Sequence, residues 1–247
     1  MSPILNPLRG PKRQLVLATV LFAFLAGCSS KQNTTTSIPA QPPAPHVVTY
    51  ASKFQKTEDP ISEDGHWIGG KTVGLDWGNV STTPGYAIGH AGPRQFADSV
   101  ALLTGDWPAN QSVEEVVDRR KVSRYPEVSI RLRSSLAKHN CDGYEISFSL
   151  RDDNTAYLII VRWNGPLANF TYLVNAPGKQ YGVKTGDVIK ATVVGNEIKA
   201  YKNGVLMGTA KDSTYTHGAP GFGFNEGKNG DYGISSLSVS ATDAANF

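Results

Sequence analysis

Residues 186–224 read GDVIKATVVGNEIKAYKNGVLMGTAKDSTYTHGAPGFGF, and the placing of their turn residues decides the fold. Apolar and polar residues alternate in the short runs DVIKATVV, EIKAY and VLMGTA, the period of a strand with one buried face. Gly195 with Asn196, and Asn203 with Gly204, separate these runs, and both pairs tolerate the positive φ that two-residue hairpin turns require. No Gly-x-Gly-x-x-Gly opens a helix in this stretch and no Gly-Lys-Ser/Thr occurs in it, so its glycines are sheet corners and not a phosphate cradle.

The same pattern runs back through the chain. EVSIRLRSS sets Val128, Ile130 and Leu132 against Ser129, Arg131 and Arg133. GYEISFSLR sets Tyr144, Ile146, Phe148 and Leu150 against Glu145, Ser147 and Ser149. TAYLIIVRW, FTYLV and YGISSLSVSA continue it. The nearest approach to a helical stripe is Ser112–Val122, whose Val113, Val116, Val117 and Val122 favour a strand. A dozen or so short antiparallel strands predict an all-β, two-sheet antiparallel β-sandwich, with the apolar member of each alternation between the sheets.

Gly186, Asp187, Ile189, Gly195, Ile198, Tyr201, Asn203, Gly204, Asp212, Ser213, Gly218 and Gly221, followed by a last strand around GISSLSVSA, carry a further signal. They resemble the run shared by the concanavalin A-like lectin/glucanase superfamily, in its laminin G-like and sugar-binding bacterial branches. The likeness covers Val128 to the end well and residues 49–127 more loosely. It implies a jelly-roll sandwich and one of three activities, carbohydrate binding, glycoside hydrolysis or polysaccharide elimination. The hydrolase branch would place carboxylates on one strand as Glu-x-Asp-x-x-Glu, and no Glu here has Asp two positions on. The Arg-x-Glu-x-Arg and Gln-x-His strands of the lyase branch are missing too. No catalytic residue is therefore assigned, and binding is expected in preference to a glycan-degrading enzyme or a structural, protein-interaction module.

Alternation turns Arg131, Arg133, Glu145 and Ser147 away from the core, and by the same logic Lys190 and Thr192. In the superfamily resembled, the outer face of the concave sheet often carries the sugar groove. Arg131, Arg133 and Glu145 are thus the expected polar contacts, the two arginines able to fork onto an acidic glycan. Trp67 is expected in the core. Trp107 and Trp163 stand beside turn residues and are the expected stacking platforms, with Tyr86, Tyr125, Tyr172 and Tyr215 as further aromatics. The histidines show no metal-ligand spacing and no cofactor is expected. The resemblance leaves room for one structural calcium at Asp59 and Asp231.

The N-terminus is of another kind. Arg9, Lys12 and Arg13 precede the apolar run LVLATVLFAFLAG and then Cys28. This is a secretory signal, and Leu25-Ala26-Gly27-Cys28 resembles a bacterial lipobox, in which the cysteine is acylated and residues 1–27 are removed. Several buried acyl chains at ~0.8 kcal/mol per CH₂ make such an anchor effectively permanent. Ser29 after the cysteine resembles cargo for the outer membrane of a Gram-negative cell envelope. Residues 28–48, rich in Ser, Thr and Pro, are expected to be a tether, and 49–247 the folded domain. Cleavage takes Lys+Arg from 24 to 21 against 21 Asp+Glu, so the net charge falls from +3 to zero and nucleic acid is not an expected partner. Cys141 is left with no cysteine to pair with.

Overall fold

Fifteen strands and two 3-10 turns make up the regular structure in the computed structural model, which describes residues 45–90, 92, 94–121, 125–225 and 231–244. The signal segment, Cys28 and the tether as far as residue 44 lie outside the described residues. The strands are β1 (Val47–Ser52), β2 (Trp67–Gly69), β3 (Val80–Thr83), β4 (Tyr86–Gly89) and β5 (Ser99–Leu103), then β6 (Asn110–Arg119), β7 (Glu127–Ala137) and β8 (Asn140–Ser149). After them come β9 (Tyr157–Gly165), β10 (Phe170–Pro177), β11 (Val188–Val194), β12 (Glu197–Lys202), β13 (Val205–Lys211), β14 (Ala219–Asn225) and β15 (Tyr232–Thr242).

They form two antiparallel sheets, the sandwich that the alternation predicts. The first runs β13-β12-β11-β6-β15-β4-β3, with β1 also on β15, and the second runs β10-β9-β8-β7-β14-β5-β2. Ser112–Val122, the helix-like window, supplies most of β6. Both expected hairpin corners are present: Gly195 has φ 57° between β11 and β12, and Asn203 and Gly204 have φ 49° and 78° between β12 and β13. Val128, Ile130, Leu132, Tyr144, Ile146 and Phe148 are all sealed between the sheets beside Phe222 and Phe224, and Trp67 joins them. Burying a large apolar side chain is worth about 1.5–3 kcal/mol, so this interior is the main source of cohesion.

One residue breaks the pattern of the core. Glu115 lies on the inward face of β6 between Val113 and Val117, in register with Ile189 and Leu237, and is 1% exposed. Neither carboxylate oxygen has a hydrogen-bond partner among the described residues. Burial alone pushes its pKa well above the ordinary carboxylate range, so the native state holds the proton. The unfolded chain releases that proton as pH rises, so the stability linked to it is complete at acid pH and falls as pH climbs from the ordinary carboxylate range toward the native value. Glu115→Met should therefore raise stability in urea at pH 7 by roughly 1–3 kcal/mol, and flatten the decline as pH rises above the ordinary carboxylate range. An unchanged or lower midpoint at pH 7 would mean that Glu115 has a partner in solution.

Candidate functional site

Strands β7, β8 and β9 turn Glu127, Ser129, Arg131, Glu145, Ser147, Tyr157, Ile159, Val161 and Trp163 away from the sandwich interior, as their alternation requires. The face is not open to water at its centre. The segment between β2 and β3 lies across it and buries Leu75 and Trp77 in a second apolar cluster with Val100, Leu102, Cys141, Val161 and Trp163. Backbone hydrogen bonds from Gly70 to Val100, from Gly78 to Asp98 and from Val100 to Gly78 fasten this strap to β5. The Trp77 and Trp163 rings meet with centroids 4.3 Å apart.

Under the strap sits a charged knot. The Arg131 guanidinium lies 5.1 Å from the Trp77 ring and 5.8 Å from the Trp163 ring. Its Nη2 is 2.9 Å from Glu145 Oε2 and 3.6 Å from Asp98 Oδ2, with the three side chains 0%, 4% and 8% exposed. The Nη2 contact is an ion pair off the line that a hydrogen bond needs, and Nε and Nη1 meet no acceptor among the described residues. Glu145 is better served: Ser147 Oγ donates to Oε1 at 2.7 Å and Trp163 Nε1 donates to Oε2 at 2.5 Å. Cys141, in the same cluster, is free and buried, and burial pushes its thiol up to about 12.

The face opens along β9 and β10. From the buried Trp163, ring contacts run outward to Phe170 at 5.0 Å, and from Phe170 to Tyr172 at 5.2 Å and to Phe96 at 5.3 Å. Tyr172 is 51% exposed and Phe96 38%, so the aromatic ladder ends in solvent. Along the same strip, the Tyr157 hydroxyl and Asn225 Nδ2 donate to Glu127 Oε1. Burial first, and the Glu145 charge second, raise Glu127 to about 7. Burial, together with the charges of Glu127 and Glu145, pushes the Tyr172 hydroxyl upward, which places both carboxylates near the ladder.

Of the five residues expected to bind ligand, Arg131, Glu145 and Trp163 converge on this face, and Arg133 and Trp107 lie elsewhere. The reason for Arg133 is local. The β7–β8 register shifts between Leu132 and Ser135, and Arg133 has φ 45°. The bulge redirects its side chain to the Ala109, Gly195 and Tyr215 carbonyls at 2.7–2.9 Å, where it ties three loops together. Gly218 packs on this bulge so closely that a Cβ there would lie 2.4 Å from the Arg133 carbonyl carbon. Trp107 packs half-buried on the main core and donates Nε1 to the Thr104 carbonyl at 3.0 Å. The arginine pair expected to grip an acidic glycan is thus divided, each member spent inside the protein. Among the described residues no three His, Cys, Asp or Glu side chains converge as metal ligands, Asp59 and Asp231 included. Glu127, Phe96 and Phe170 were not singled out by sequence; Phe170 and Tyr172, two positions apart in FTYLV, carried the one available signal.

No protein-family model and no curated protein matches the chain. Solved structures similar to it include the carbohydrate-binding module CBM66 from Bacillus subtilis, at 15% identity over 73% of this chain and 95% of that one, with a TM-score of 0.49. A beta-porphyranase from the human gut bacterium Bacteroides plebeius aligns at 10% identity over 83% and 95% of the two chains, TM-score 0.44. Sheep galectin-11 aligns at 11% identity over 56% and 95%, TM-score 0.40.

Removing Arg131 would strand two buried carboxylates. Arg131→Met is expected to cost about 3–5 kcal/mol in urea denaturation, with part recovered by adding Glu145→Gln. A cost below about 1 kcal/mol would match a solvated pair and contradict the sealed knot.

Proposed function

We propose that the folded domain binds a carbohydrate, in the form of a neutral polysaccharide, on the strip along β9 and β10. The observation that carries this reading is the ladder Trp163–Phe170–Tyr172, rooted in a buried cluster and surfacing beside Glu127 and Tyr157. Ring faces held rigid by a packed base offer a stacking surface at little entropic cost, and a carboxyl with a phenol beside it supplies the directional contacts that a polyhydroxyl ligand needs. The charge of the face speaks for a neutral glycan. Glu145 and Asp98 flank a single guanidinium that is already engaged, and Glu127 adds a third carboxyl to the face.

A catalytic reading has one observation in its favour. Glu127 and Glu145 stand on adjacent strands of one face, and their surroundings differ in the way an acid and a base require. Against it, the oxygens of Glu145 are occupied by Ser147, Trp163 and Arg131 beneath the strap, which leaves no accessible nucleophile or base. Binding without turnover is the reading the geometry favours.

The lipobox adds an address: Cys28 carries acyl chains, and the tether holds the domain off the membrane of a bacterial envelope, the outer membrane where there is one. This rests on the LAGC motif and the apolar run before it. Expressed in a bacterium fed an alkyne palmitate analogue, the protein should take up label and sediment with membranes, and Cys28→Ser should do neither. Equal labelling of the two would remove the anchor.

For the ligand, Tyr172→Ala with Phe96→Ala should lower the affinity for a bound neutral polysaccharide roughly tenfold or more, as truncation of aromatic anchors does, while the melting temperature changes little. Undiminished affinity in that variant would rule out the strip.

A further inference from the structure

The second sheet's outer face is covered at its centre, whereas two grooves lie on the first sheet's outer face. One groove of about 440 Å³ runs over β6, β11 and β12, and a neighbouring one of about 390 Å³ runs over β1, β6 and β15. Glu114 borders both, so the two meet at β6. The strand register explains the continuity. Tyr201 faces Lys190, Lys190 faces Glu114, Glu114 faces Ser238 and Ser238 faces Ala51, in one row across five strands. Four strand spacings of about 4.8 Å make that row roughly 19 Å long.

The lining selects a class of ligand by elimination. Glu114 and Glu197 balance Lys190 and Lys199 in the first groove, and Lys53 in the second leaves the trough a single positive charge in surplus, too little to grip an ionic polymer. Lys199 and Glu197 pair at 2.6 Å, whereas Glu114 and Lys190, neighbours in register, form no ion pair among the described residues and keep their hydrogen-bonding capacity for a guest. The apolar part of the lining is aliphatic, from Val188, Val194, Val116 and Leu237, and of the aromatic, Met and Arg residues enriched at protein interfaces only Tyr201 lines it, among Lys, Glu and Ser residues that are depleted there. Hydroxyls, near-balanced charges, small aliphatic residues and one half-buried ring, Tyr201, suit an uncharged polyhydroxyl chain, and each groove is within the 300–1,000 Å³ or so of ligand sites.

We infer that this trough is a second polysaccharide-binding site, on the sheet opposite the aromatic strip, and that the domain is bivalent. The ligand class follows the carbohydrate reading above, whereas the site stands on separate residues and a separate sheet. Two contacts on opposite faces let one domain join two chains of a polysaccharide network, or hold one chain with an avidity above either contact alone.

The test is native affinity electrophoresis of the intact protein in mild detergent, through gels containing laminarin, xylan or agarose. In the gel that retards the wild type, Tyr201→Ala with Lys190→Ala should weaken retardation roughly tenfold or more, as loss of one of two linked contacts does. Adding Tyr172→Ala and Phe96→Ala should abolish it. Titration calorimetry with a short oligosaccharide of that polymer should give two sites per wild-type chain and one for either paired variant. Wild-type retardation and an unchanged site count in the Tyr201/Lys190 variant would overturn the trough and leave the strip standing. Loss in the Tyr201/Lys190 variant alone would keep the trough and remove the strip, and no retardation of the wild type in any gel would overturn both.

Discussion

The arrangement of the second sheet follows from one side chain, Arg131. A guanidinium cannot be deprotonated at ordinary pH, so a position without water has to supply counter-charge and a polarisable surface. Glu145 and Asp98 provide the first, and the rings of Trp77 and Trp163 the second. Trp77 is available only because the segment before β3 folds back across the sheet, and the strap stays there because its own apolar residues find Val100, Leu102 and Val161. Charge, lid and aromatic ladder are one construction, and the outer end of that ladder is the surface proposed for a ligand.

Much of this was legible in the sequence. Period two and the Gly/Asn corners were enough for the sandwich, since a half-buried strand has to alternate and a two-residue turn has to accept positive φ. The same alternation placed Arg131 and Glu145 on one face, where Trp163, singled out only by the turn beside it, joins them. It could not place Arg133, because a bulge adds a residue to the count and redirects every side chain after it. Nor could it separate facing away from the core from facing water. Leu75 and Trp77 come from a segment without periodicity, yet they decide whether Arg131 meets solvent or an indole. Glu115 alternates as an inward residue should, and nothing local announces a carboxyl among valines.

The two outer faces have consequently taken opposite forms. On one, an insertion fills the centre and leaves a narrow aromatic margin. On the other, no segment crosses β6, β11 or β12 among the described residues lining the grooves, and aliphatic, hydroxyl and near-balanced charged residues line a shallow trough.

The last strand has a bearing on how the chain comes into being. β15 pairs with β6 along one side and with both β4 and β1 along the other, so the strand made last is the hub of the first sheet. Whether a ribosome or a membrane pore delivers the chain, the N-terminus emerges first and β1 waits for a partner some 190 residues away. Until β15 is in place, the first sheet is three pieces without a common strand: β13-β12-β11-β6, β4-β3 and β1 alone. The first sheet is therefore completed only when its C-terminal strand is available, whereas the strands of the second sheet all precede it.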